Sequence, residues 1–148
     1  MNGTTIDELN KILTNTLQYQ DLYQKIAKSV SHEQTVKKLR EFAGIAENES
    51  ERLIKVISNE GGKVQTTPRH TDQAAVCWTP QQLPDMEEMQ PILNCLIAVE
   101  REKLNDYTKI CNSNGMDNTS KDTLETHLQQ AESNLQYLEV AIDTYEKN

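Results

Sequence analysis

The sequence predicts an all-α protein that folds as one bundle of four long helices. Two observations lead to this expectation. Glycine (5) and proline (4) are scarce among the 148 residues, and apolar side chains recur every three to four positions along four separate stretches. A β-sandwich would need more tight turns. We therefore expect a single domain over residues 1–148 that is large enough to bury a hydrophobic core.

The first two predicted helices form a hairpin. Thr5 and Glu8 have the spacing of a capping box that opens the first helix, and Ser31 and Gln34 repeat this spacing at the second. The second helix is expected to end at Gly61, because glycine readily adopts the left-handed conformation that closes a helix. The join between the two helices is very short, so they should pack antiparallel.

A connection over residues of about 61–84 follows the second helix. When extended it reaches about 80 Å, enough to run along helices of about 40 Å. Its apolar segment AAVCW, with Trp78 as an anchor, should then lie on the bundle. The third helix should begin or kink at Pro91, and the fourth should begin near Ser120. We expect an up-down-down-up bundle with a long crossover between the second and third helices. An up-down bundle with a disordered loop is the alternative.

The composition argues against several functional classes. The formal net charge is −8 and the only basic cluster lies at residues 37–40, so nucleic-acid binding is not expected. No apolar stretch of about 18 residues predicts a membrane span, and no signal peptide is recognisable. The three cysteines form no CxxC motif and are expected to be free thiols, which favours a cytoplasmic location.

Each predicted helix carries a polar residue near its middle, on its apolar face. These residues are Thr16, Gln20, Glu49, Glu100 and Asn134. Two carboxylates in a core require a bound cation, a shared proton or hydrogen bonds from neighbours. Glu49 and Glu100 are therefore the candidate metal ligands. Their expected polar neighbours in the core are Gln20, Tyr23, Tyr107 and Asn134.

The chain also resembles a known family. The segments LNKILTNTLQYQDLY, AENESERLIKVISNEGG and EREKLNDY look like the first three helices of bacterioferritin- and rubrerythrin-type proteins, and AESNLQYLEVAIDTY looks like their fourth. The overall layout is similar to a group of uncharacterised bacterial ferritin-like proteins. This resemblance covers nearly the whole chain and implies a ferritin-like bundle.

The resemblance also indicates where the ligands of a di-iron site would lie. The family takes one Glu each from the first and third helices, and a Glu-x-x-His pair each from the second and fourth. In this chain those positions are Thr16, Ala46, Glu49, Glu100, Ala131 and Asn134. Only Glu100 keeps the family's residue, and Glu49 replaces a histidine. His127 does not restore the motif and is expected to be a half-exposed helix residue.

Two functional classes remain open. The first is a non-catalytic ferritin-like bundle, without a cofactor, that acts by association (as a dimer or with a partner) or binds a small ligand. The second is a carboxylate bundle that binds iron, manganese or zinc through Glu49 and Glu100, with an oxidoreductase or stress-related role. The missing ligands favour the first. Replacing both glutamates by glutamine should then be tolerated or stabilising, because two uncompensated charges leave the core.

Overall fold

The computed structural model describes residues 3–30, 33–66 and 89–146. The described residues form four helices: α1 (Gly3–Ser29), α2 (Glu33–Asn59), α3 (Met89–Cys111) and α4 (Asn118–Glu146). The four predicted helices are therefore confirmed. Pro91 is the third residue of α3, where the missing N–H removes no bond within the helix. The AAVCW segment, with Trp78, lies outside the described residues.

The helices pack as two antiparallel hairpins, α1–α2 and α3–α4. Glu8, near the start of α1, pairs with Lys109, near the end of α3, at 3.2 Å. Asn59, at the end of α2, donates a hydrogen bond to Ser120, near the start of α4, at 3.1 Å. Each helix is thus antiparallel to both of its neighbours, which confirms the up-down-down-up arrangement. The end of α2 and the start of α3 lie at opposite ends of the bundle, as a long crossover requires.

Two glycines end α2 in the predicted way. Gly61 has a φ of 80°, in the left-handed region that favours glycine. The N–H of Gly62 donates to the carbonyl of Ile57 at 2.9 Å, and the N–H of Gly61 donates to that of Ser58 at 3.1 Å. These two bonds form a Schellman motif, which satisfies carbonyls that the end of the helix leaves unpaired.

The chain after α2 is attached to the first turns of α1. A Cβ atom at Gly62 would lie 2.7 Å from the side chain of Ile6, so the two segments approach closely. The side chain of Asn10 donates to the carbonyl of Lys63 at 2.9 Å and accepts from the N–H of Gln65 at 2.7 Å. The side-chain amide of Asn10 thus bonds to the start of the crossover as a backbone peptide group would, and attaches it to α1.

The core consists of two hydrophobic clusters, one toward each end of the bundle. The first cluster includes Tyr23, Ile26, Leu39, Phe42, Leu96 and Leu138. The second cluster includes Leu9, Leu13, Leu53, Tyr107, Ile110 and Leu124. On every helix the two sets are separated by buried polar positions near the middle. None of the helices in the described ranges has the length and apolar character needed to cross a membrane.

Candidate functional site

A layer of buried polar side chains lies between the two hydrophobic clusters. We call it the polar layer, and it consists of Thr16, Glu49, Glu100, Lys103, His127 and Asn134. All four helices contribute to it. None of these side chains is more than a few per cent exposed, so each charge in the layer needs compensation from within the protein.

The ammonium group of Lys103 lies between the two carboxylates. Its Nζ atom is 3.7 Å from Oε2 of Glu49 and 3.5 Å from Oε2 of Glu100. Two tyrosines complete the cluster. Tyr107 donates a hydrogen bond to Oε2 of Glu49 at 3.1 Å, and Tyr23 donates to Oε1 of Glu100 at 2.8 Å. The compensating cation is therefore a side chain of the protein itself.

The spacing of residues along α3 brings this cluster together. Glu100, Lys103 and Tyr107 are separated by three and four positions, so they lie on one face of the helix. Sequence reasoning missed Lys103, although this spacing was the signal that could have found it. Leu104, the next residue along α3, is only half-buried. A lysine is rarely fully buried without a partner, and here two carboxylates are its partners.

Burial and neighbouring charges shift the pKa values in the layer. Burial raises the pKa of Glu49, while Lys103 opposes this shift and Glu100 adds to it. Burial alone would lower the pKa of Lys103, but the carboxylates of Glu100 and Glu49 outweigh it, and the pKa lies above its ordinary value. Burial, and then the adjacent carboxylates, raise the pKa values of Tyr23 and Tyr107 well above normal. Lys103 is thus charged, and both phenols remain hydrogen-bond donors.

His127 is buried, which corrects the expectation of a half-exposed residue. Only 2% of its surface is exposed, and its ring meets that of Tyr107 edge-on, with 5.4 Å between centroids. Burial, followed by the positive charges of Lys103 and Arg52, lowers the pKa of His127 to about 4. The imidazole is therefore neutral at pH 7. Its spacing of three positions from Leu124 places His127 on the apolar face of α4. Its side chain is polar, however, so the sequence pattern did not predict that it is buried.

A small cleft between α2 and α4 reaches the polar layer. Its volume is about 190 Å³, and Glu49 and His127 are among the residues that line it. Oε1 of Glu49 and both ring nitrogens of His127 have no hydrogen-bond partner among the residues that the structure describes. The cleft thus places open space beside Glu49 and His127, on the side of the layer formed by α2 and α4.

Comparison with known proteins assigns the fold. No family model and no curated protein matches the sequence. A solved structure described as "A Dodecameric Thioferritin in the Bacterial Domain, Characterization of the Bacterioferritin-Related Protein from Bacteroides fragilis" is similar, with a TM-score of 0.80 and 21% sequence identity. The match covers 97% of this chain and 87% of that chain.

The chain has the ferritin-like fold. At this level of identity the likeness concerns the architecture alone. A polar layer lies near the middle of the bundle, as the sequence predicted. Which metal ion or ligand this layer can bind depends on its own residues.

Most of the residues that the sequence predicted for the polar layer are buried in the structure. Glu49 and Glu100 are both buried and both contact Lys103. Tyr23 and Tyr107 bond to them. Asn134 is buried and accepts a hydrogen bond from Gln130 at 2.9 Å. Gln20 was also predicted to lie in the core, but it is only half-buried.

The residues present do not fit a di-iron centre. In the part of the chain that the structure describes, no three His, Cys, Asp or Glu side chains are grouped so that they could hold a metal ion. The ammonium of Lys103 also lies within 4 Å of both carboxylates, where it repels a cation. A single metal ion at Glu49 and Glu100 would have to displace this ammonium. A metal site at these two residues stays a prediction.

Proposed function

We propose that this protein is a non-catalytic ferritin-like bundle that acts by association, first of all with copies of itself. The observation that supports the non-catalytic part is the position of Lys103. Its buried ammonium supplies the positive charge that a metal ion supplies in carboxylate bundles of this fold. The ammonium offsets one of the two buried negative charges, and the hydroxyl groups of Tyr107 and Tyr23 donate to the carboxylates, so the core can be stable without a metal ion.

Metal analysis and thermal unfolding test this part of the proposal. We expect protein from cells grown in iron-rich medium to carry well under one ion per chain. Its melting temperature should be the same with and without a chelator such as EDTA, because Lys103 needs no replacement. Stoichiometric iron, manganese or zinc that disappears in the Glu49→Gln, Glu100→Gln variant would instead establish the metal-binding alternative.

Exposed apolar side chains support the association part. Leu17 on α1, Ile54 on α2 and Val64 at the start of the crossover are 38%, 41% and 40% exposed. We call these three residues the α1–α2 patch. Contiguous apolar surface favours contact with another protein, and in this proposal the three side chains contribute to one such surface. The similar thioferritin is described as dodecameric, which is consistent with self-association through such a surface.

Light scattering coupled to size-exclusion chromatography tests self-association. The wild type should elute as an oligomer at concentrations on the order of 100 µM, which corresponds to weak to moderate affinity. The Leu17→Lys, Ile54→Lys variant should be monomeric, because it places charge in the contact. Val140→Lys on α4 is the control, since Val140 is 61% exposed but lies outside the patch. A monomeric wild type, or an equal effect of both variants, would disprove this interface.

A further inference from the structure

The cleft between α2 and α4 has the features of a small binding site. Its volume of about 190 Å³ slightly exceeds that of an engineered cavity that accommodates benzene, about 150 Å³. Glu49 and His127 line it, although each is at least 97% buried. Arg52, Thr126 and Gln130 also line it and are more accessible. A polar molecule of fewer than about ten non-hydrogen atoms would fill this space.

Three buried polar atoms line the cleft. Within residues 3–30, 33–66 and 89–146, Oε1 of Glu49 and both ring nitrogens of His127 find no hydrogen-bond partner. Such groups are rare in folded proteins, since each costs about 1–3 kcal/mol when it is left unpaired. A neutral imidazole offers one donor and one acceptor. A ligand with a hydroxyl group can satisfy these atoms from inside the cleft.

The charges around the cleft select the rest of the ligand. Arg52 follows Glu49 by three positions, about 4.5 Å along the axis of α2, and both line the cleft. Arg52 forms no ion pair with any of the described residues. Its positive charge and that of Lys103 both act on His127. An ammonium group on a ligand would be repelled here, whereas a carboxylate can pair with the guanidinium group of Arg52.

We propose that this cleft binds a small hydroxycarboxylate. The carboxylate group pairs with Arg52 at the rim, and the hydroxyl group bonds to His127 and to Oε1 of Glu49 at the floor. The molecule has two or three carbon atoms, because Arg52 at the rim and Glu49 at the floor are about 4.5 Å apart along the axis of α2. The ligand bonds to Oε1 of Glu49, whereas Tyr107 and Lys103 contact Oε2, so ligand binding leaves the charge cluster intact.

Nuclear magnetic resonance of His127 tests the proposal. The chain has three histidines, so the imidazole signals of His127 are readily assigned by comparison with His127→Phe. Lactate should shift these signals in a saturable way, with a dissociation constant on the order of 1–10 mM. Propionate lacks the hydroxyl group and lactamide lacks the charge. Each should bind at least about tenfold more weakly, since it loses one of the two anchoring interactions.

Two variants separate specific binding from general charge effects. Arg52→Gln should weaken lactate binding at least about tenfold. Arg101→Gln should leave it unchanged, because this exposed arginine belongs to α3 and pairs with Glu139. Ile45 also lines the cleft, so its methyl signals can report on lactate binding in the His127→Phe variant. Binding should be lost in that variant. No saturable shift, equal binding of propionate, or unchanged binding in Arg52→Gln would overturn this proposal.

Discussion

Lys103 is the residue on which the charge balance of the core depends. With 3% of its side chain exposed, it cannot keep its ammonium group in water, so both carboxylates have to neutralise it in place. Buried ion clusters of this kind add little net stability, but removing one member leaves an uncompensated charge. This asymmetry makes the cluster testable by substitution.

Replacing Lys103 by Met should lower the free energy of unfolding by about 3–5 kcal/mol, because two carboxylates lose their cation. Urea unfolding at pH 7 measures this change. Lys109→Met is the matched control. Lys109 is on the same helix but 73% exposed in its pair with Glu8, so its loss should cost less than about 1 kcal/mol. Similar losses in both variants would contradict the central role of Lys103.

The same reasoning changes the expectation for the glutamates. The sequence alone suggested that the Glu49→Gln, Glu100→Gln variant would be tolerated. That substitution leaves the ammonium of Lys103 buried without a counter-charge, so we now expect it to be destabilised by several kcal/mol, about as much as Lys103→Met. The triple variant, with Lys103→Met added, should regain most of the loss. A triple variant no more stable than the double one would contradict the cluster.

His127 should make stability depend on pH. Its pKa is about 4 in the folded protein and 6.5 in the unfolded chain, so the unfolded chain takes up the proton first as the pH falls. The stability is therefore lost from pH 6.5 down to pH 4, by about 2 kcal/mol between pH 7 and pH 5. The raised pKa of Glu49 acts in the opposite direction, since its protonated form is favoured in the folded state.

Comparison of the wild type with His127→Phe isolates this contribution. Phenylalanine keeps a ring beside Tyr107 but cannot be protonated, and Glu49 contributes equally to both proteins. Urea unfolding at pH 7 and pH 5 should show a steeper loss for the wild type, by the amount given above. Parallel losses in the two proteins would mean that His127 is protonated in the folded state as readily as in the unfolded chain.

At the level of single elements, α2 depends on its glycines in opposite ways. Gly61 closes the helix with a φ of 80°, a conformation that is costly for a residue with a Cβ atom. Gly44 is exposed within the helix, and a Cβ atom there would touch nothing within 4 Å. The two positions therefore form a natural pair for testing the end of the helix.

Gly61→Ala should destabilise the protein by about 1–2 kcal/mol, because alanine is strained in the left-handed region. Gly44→Ala should stabilise it by about 0.5–1 kcal/mol, because alanine loses less backbone entropy within a helix. Urea unfolding of both variants at the same pH measures the sign of each change in the free energy of unfolding. Changes of the same sign would show that Gly61 is not held in the left-handed conformation in solution.

At the scale of the whole molecule, charge opposes the proposed association. Each chain carries a formal net charge of −8, so two copies repel at low ionic strength. Self-association should therefore strengthen when salt is raised from about 20 mM to about 300 mM, because the screening length falls below about 10 Å. Sedimentation velocity at both concentrations measures the effect. Weaker association in high salt would indicate an ionic interface instead of the apolar α1–α2 patch.

The sequence by itself determined the helices and their order. Apolar residues at helical spacing, few glycines and prolines and the closing Gly61 are local features, and local features are sufficient to define helices and their ends. The same pattern placed Glu49 and Glu100 on inward faces. It also predicted that the two carboxylates would meet, because both occupy the middle of their helices.

Only the tertiary structure decided what those carboxylates meet. The spacing along α3 places Lys103 on the same face as Glu100, but only the packing shows that it is buried between two carboxylates. His127 is an ordinary polar residue of α4 in the sequence, and only the packing shows that it is buried. Their roles depend on distances between helices, which sequence spacing along one helix does not contain. The cleft arises in the same way, from residues of α2 and α4 that are far apart in the chain.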